Sequence, residues 1–130
     1  ESNQKNIKQD NINLFRIPDS QFTFRENEQN FNFVIELELH MKSKKRYFNI
    51  FHFYRDYLDI NRVYWVCSDN VLQNKLIDHF LLLYERSKES LDLSVKDNQI
   101  LLDRAKNIHY FITQKKLMSD GFNASRKLLG

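Results

Sequence analysis

The chain has 130 residues, 42% of them apolar and 14% aromatic, enough for one domain with a sizeable core and too apolar for a disordered tail. A single cysteine excludes a disulfide framework, and two glycines with one proline leave no glycine-rich phosphate loop, so Walker-type ATPases and Rossmann dinucleotide binders are excluded. The net charge of +3 is segregated: residues 1–38 sum to −3, 39–58 to +4, 59–103 to −3 and 104–130 to +5. That alternation suits a site where cations and a polyanion meet, or a mixed solvated surface.

Residues 1–10 are polar and predict a flexible lead-in, with residues 11–130 as a single domain. Ile12, Leu14, Phe15 and Ile17 predict a short strand ended by Pro18. Phe22 and Phe24 alternate with polar residues over 21–25, and Glu26 to Asn30 reads as a hairpin turn. Phe31 to Leu39 is the clearest strand, with Phe33, Ile35, Leu37 and Leu39 on one face and Asn32, Val34, Glu36 and Glu38 on the other. From Ser43 the period becomes helical, and Tyr47, Ile50, Phe51, Tyr54 and Leu58 predict a helix over 43–58. The aromatics Tyr47, Phe48, Phe51, Phe53, Tyr54 and Tyr57 are expected to be mostly core, with one or two left to stack on bases. Arg62 to Ser68 reads as a buried strand, and Ser68 or Asp69 caps a helix to Arg86 with Leu72, Leu76, Phe80 and Leu83 inward. Residues 97–106 predict a helix and 108–113 a last strand; the basic tail from Lys115 gives no clear element. The order predicts an α/β fold: a mixed central sheet, made of a β-hairpin meander and a right-handed βαβ crossover, flanked by helices.

The layout brings together residues that carry chemistry. Asp19 follows Pro18, and Glu36 and Glu38 lie 17 and 19 residues later, so a hairpin brings Asp19 near Glu36 across the sheet. Three such carboxylates repel one another unless a divalent cation sits between them, and oxygen-only ligands favour Mg²⁺ or Mn²⁺. His40, Lys42, Lys44, Lys45 and Arg46 come next in the chain, and cations beside a carboxylate-bound metal suit phosphodiester cleavage. The plainer alternatives are that Glu36 and Glu38 are the solvent face of an amphipathic strand and that Lys42–Arg46 is a solvated helix start. Basic charge at a helix N-terminus is unfavourable by about 0.3–1 kcal/mol per group, which favours an external anion there. Lys115, Lys116, Arg126 and Lys127 extend the same basic surface. His40, His52, His79 and His109 are scattered and read as structural or surface residues, and Cys67 reads as a small buried hydrophobe.

The string Pro18-Asp19, a hairpin, Ile35-Glu36-Leu37-Glu38, a basic and aromatic helix and the strand Val63-Tyr64-Trp65-Val66 resembles the PD-(D/E)XK nuclease superfamily. Within it, the string is similar to replication-relaxation type proteins of plasmids and mobile elements. The resemblance spans about residues 12–86. It implies a restriction-endonuclease-like domain with Asp19 and Glu36 as metal-ligating carboxylates. The superfamily's lysine position carries Glu38; some restriction endonucleases of the superfamily use Glu-x-Glu, and Lys42 or Lys44 can supply the lysine. Two functions follow from the resemblance. One is a Mg²⁺- or Mn²⁺-dependent nuclease acting on DNA. The other is a catalytically inactive nuclease-like module that binds DNA, a protein partner or a second copy in plasmid or mobile-element maintenance.

The longest apolar runs are far too short to span a bilayer, and no signal-peptide core follows Glu1. The missing initiator Met predicts a fragment or a processed chain, and cysteine usage predicts a reducing cytoplasm with no membrane partner.

Overall fold

A computed structural model describes residues 18–129; the strand expected over 12–17 and the lead-in over 1–10 lie outside the described residues. β1 (Ser20–Glu26) pairs antiparallel with β2 (Gln29–Glu38), with Ser20 opposite Ile35 and Glu26 opposite Gln29. The two-residue loop between them holds Asn27 at φ +53 and Glu28 at φ +64. Positive φ at both central positions is the hairpin geometry whose twist matches that of the flanking strands. Asn tolerates it; Glu does so at a steric cost.

β3 (Arg62–Cys67), β4 (His109–Thr113) and β5 (Arg126–Lys127) complete a five-stranded sheet of order β1-β2-β3-β4-β5. The β2–β3 and β3–β4 pairs are parallel and the β4–β5 pair is antiparallel, so the sheet is mixed, as the sequence predicts. Parallel neighbours need crossovers. α1 (Lys44–Asp56) makes the first, and α2 (Asn70–Ser90) with α3 (Lys96–Asn107) makes the second. Two elements in the basic tail were not legible from the sequence: α4 (Gln114–Asp120) and β5. Gly121 at φ +79 ends α4, and a 3₁₀ turn follows over Phe122–Ala124.

The helices α1 and α2 each start where a side-chain oxygen takes up an orphan amide. Ser43 accepts from the Arg46 amide at 3.2 Å, and Asp69 accepts from the Leu72 amide at 2.8 Å. The expected stripes are buried: Tyr47, Ile50, Phe51 and Tyr54 on α1, and Leu72, Leu76, Phe80 and Leu83 on α2. Leu58 is not part of the stripe; the helix has ended at Asp56 and the side chain is exposed. Of the six aromatics expected to be mostly core, Phe48 and Tyr57 are half-exposed and the other four pack in or against it. Arg104 of α3 closes the far end of α1, where carbonyls lack intrahelical donors. Its guanidinium donates to the carbonyls of Tyr54 at 2.8 Å, Arg55 at 2.9 Å and Tyr57 at 2.7 Å.

The core centres on Trp65, whose indole N–H donates to His109 Nδ1 at 3.0 Å. Phe51 stacks on the His109 ring and Phe80 meets it edge-on. Complete burial drives the His109 pKa down to about 3, with Arg104 adding to the effect. The ring is therefore neutral, and its Nδ1 is the acceptor. The opposite sheet face carries a second aromatic layer, in which Phe22 packs on Phe33 and Phe24 on Phe31 and Phe33. Arg62 lies over the rings of Phe33, Tyr64 and Tyr110 on this face, and Phe122 covers Tyr64.

Replacing Glu28 by Gly should relieve the steric cost of its left-handed backbone, roughly 1–2 kcal/mol, against roughly 0.5–1 kcal/mol of added unfolded-state entropy. Urea denaturation should show Glu28→Gly more stable by a few tenths to about 1 kcal/mol; a destabilised variant would contradict the turn geometry.

Candidate functional site at the strand ends

The parallel strands β2, β3 and β4 end on one edge of the sheet, and Glu38, Lys42 and Lys115 lie at or just beyond those ends, whereas Lys127 pairs with Tyr110 nearer the start of β4. β2 ends at Glu38 and leads through Lys42 into α1; β3 ends at Cys67 and leads into α2; β4 ends at Thr113 and leads into α4. In open sheets with parallel strands, ligands collect at these carboxyl ends.

Asp19 lies beside Glu36, as the hairpin predicts. It immediately precedes Ser20, the partner of Ile35, and its Oδ2 accepts a hydrogen bond from the Leu37 amide at 2.7 Å. The alternation of β2 is also as expected, but its polarity is reversed. Glu36 and Glu38 are 2% and 0% exposed, whereas Leu37 and Leu39 are 47% and 51% exposed. The glutamates are therefore not the solvent face of an amphipathic strand. They share the face of Val34 and point into the layer between sheet and helices.

Two carboxyl groups can occupy that layer only if they are hydrogen-bonded. The Tyr54 hydroxyl donates to Glu36, and the Tyr47 hydroxyl and the Lys42 ammonium both donate to Glu38. The pairing follows from chain direction. α1 runs back along β2, so the earlier tyrosine meets the later glutamate and the later tyrosine the earlier one. The Lys42 backbone amide donates to the Tyr47 oxygen at 3.1 Å, which completes a closed set of bonds around Glu38. Burial, and then the hydrogen bond to Glu38, push the Tyr47 pKa far above its ordinary value, so the phenol stays protonated and a donor. Burial also pushes the Cys67 thiol up to about 12, with Glu38 and Asp69 adding to the effect, which makes it an inert core residue.

The basic residues divide into two groups. Lys42 is committed to Glu38 as an ion pair with 27% of its side chain exposed. Lys44, Lys45 and Arg46 are exposed in the first turn of α1, where there is no acidic residue. Beyond β3, two strand spacings or roughly 10 Å across the sheet, Lys115 and Lys116 are exposed at the start of α4. Lys116 is held by Asp120 at 2.8 Å. Arg126 of β5 is also exposed and reaches Asn74 at 3.4 Å, and Lys127 lies over the Tyr110 ring. His40 is exposed beside the Asp19–Lys42 cavity of about 440 Å³. The other histidines pack on aromatic rings, His52 on Phe48 and His79 on Tyr47.

A metal site needs carboxylates that converge with free lone pairs. Here Glu36 and Glu38 accept from tyrosine hydroxyls within the core and Asp19 accepts from a backbone amide. Among the described residues no group of three or more His, Cys, Asp or Glu side chains is arranged to hold a metal ion. The residues that sequence reasoning missed are Tyr47 and Tyr54. Their signal was present, since both fall on the buried stripe of α1 with hydroxyls that require partners.

Removing Lys42 leaves a fully buried carboxylate without its cation, which costs about 3–5 kcal/mol for an enclosed pair. The partial exposure of Lys42 reduces this, and Lys42→Met should lose about 2 kcal/mol. Lys44→Met should stay within about 0.5 kcal/mol of the parent. Equal losses in thermal or urea denaturation would show that Lys42 is merely another surface lysine. Comparison of the chain with protein-family models, with curated proteins and with solved structures finds no match.

Proposed function

We propose that this domain is a nucleic-acid-binding module of nuclease-like layout, built on a restriction-endonuclease-like sheet and catalytically silent. The observation that carries this reading is the division of charge at the strand ends. The carboxylates that metal-dependent hydrolysis needs, Glu36 and Glu38, are enclosed and hydrogen-bonded by Tyr54, Tyr47 and Lys42. The cations suited to phosphates are exposed on the same edge, as Lys44, Lys45, Arg46 and Lys115. Mg²⁺ or Mn²⁺ does not fit the donor set as arranged, because two of the three expected ligands already serve the core. The PD hairpin and Glu-x-Glu strand support kinship with nuclease domains of plasmid and mobile-element proteins, and DNA is the partner they imply.

Three cations in the first turn of α1 oppose the helix dipole. An external polyanion reverses that penalty. Phosphate recognition of this kind positions a strand without reading its bases.

Fluorescence anisotropy with duplex DNA should show affinity falling with salt, at a log–log slope near −0.9 per phosphate neutralised. The triple variant K44E/K45E/R46E should weaken binding equally for all sequences and flatten the slope by about one unit for each phosphate no longer neutralised. Glutamates suit a helix N-terminus, so weaker binding by this variant reports missing phosphate neutralisation and not a damaged fold. Unchanged affinity and slope would overturn the reading. Cleavage of plasmid DNA with Mn²⁺ that disappears in Asp19→Ala would replace it with the hydrolytic one.

A further inference from the structure

A cavity of about 580 Å³ opens at the carboxyl end of β4, lined by Asn70, Gln73, Phe111, Lys115, Lys116 and Arg126 among others. It is separate from the Asp19–Lys42 cavity, which lies at the end of β2. Asn70 and Gln73 belong to the first turn of α2, a helix long enough to carry a positive dipole end. Lys115 and Arg126 bring two cations that no carboxylate neutralises among the described residues, whereas Lys116 is paired with Asp120.

The observation that points to a ligand is Gln73. Its side chain is 5% exposed, it lines the cavity, and its Oε1 has no hydrogen-bond partner. A buried acceptor left unsatisfied costs roughly 1–3 kcal/mol, and only a donor can satisfy it. A phosphomonoester dianion offers none, so the cations and Gln73 together suit a molecule with an anionic end and an N–H donor. Phe111 and Ile112 of β4 also line the cavity. The volume falls in the range of small-ligand sites, about 300–1,000 Å³. We infer that this cavity is a nucleotide subsite, which holds the phosphate on Lys115 and Arg126 near the α2 N-terminus and accepts the exocyclic amine or ring N–H of the base on Gln73.

The shared chemistry is a nucleoside monophosphate, either free or as the phosphorylated end of a strand. The second form rests on the proposed nucleic-acid-binding role of this edge; the first does not. Calorimetry with AMP, inorganic phosphate and adenosine should show saturable AMP binding, tighter than either part alone. Lys115→Glu and Arg126→Glu should each weaken AMP by about tenfold or more. Gln73→Leu should weaken AMP while leaving inorganic phosphate unchanged, and K44E/K45E/R46E should leave AMP unchanged. Competition with AMP by a 5′-phosphorylated single strand, but not by its 5′-hydroxyl counterpart, supports the strand end; AMP binding with no competition supports the free nucleotide. AMP binding that is no tighter than phosphate, or that is indifferent to Gln73, would overturn the inference. Loss of the salt-dependent DNA binding alone would count against the proposed function and leave this subsite standing.

Discussion

Two glutamates in the interior, each held by a tyrosine hydroxyl, are the constraint on which the rest of this fold turns. A strand that sends Val34, Glu36 and Glu38 inward must be covered by an element carrying donors at matching heights, and α1 provides them through Tyr54 and Tyr47. Removing either donor takes a hydrogen bond from a carboxyl group enclosed away from water, a larger penalty than losing the same bond at the surface. The bonds therefore fix the register of α1 on β2 more tightly than aromatic packing alone would. Lys42 at the mouth of the layer adds the charge that a buried carboxylate cannot do without. Arg104 fastens the other end of the same helix to α3.

This arrangement has a functional consequence. Groups that hold a fold together by hydrogen bonding are poorly placed to release their lone pairs to a metal ion. Exposed cations on the same edge carry no such structural duty, and their position at the carboxyl ends of parallel strands suits a phosphate-bearing ligand. The edge is thus divided between an internal acidic layer and an external basic rim. The nucleic-acid-binding proposal and the nucleotide subsite both draw on the rim.

Much of the architecture was legible because its signals are periodic. The two-residue period of Phe31–Leu39 and the stripes of α1 and α2 mark elements to within a few residues, and the mixed sheet follows from their order. The proximity of Asp19 to Glu36 follows from the hairpin. The facing of β2 was not legible. Alternation separates two sets of side chains without saying which set faces the helices, and here the aromatic layer built by Phe22, Phe24 and Phe33 gives the leucine side a partial cover of its own. α4 was hidden because it buries none of its residues, and β5 because two residues carry no pattern. Leu58 continued the α1 stripe in sequence only, since the helix stops two residues before it.

The inward facing of Glu36 and Glu38 can be tested most directly by carboxyl labelling of the native protein with a carbodiimide and an amine, read residue by residue in a mass spectrometer. Glu26 and Glu28 at the hairpin turn are exposed and serve as internal references. The account predicts that Glu36 and Glu38 are modified at least about tenfold more slowly than these references, and reach the reference rate only when the protein is unfolded. Labelling of Glu36 and Glu38 as fast as Glu26 in the folded protein would contradict it and return both carboxylates to the surface, where a metal ion could reach them.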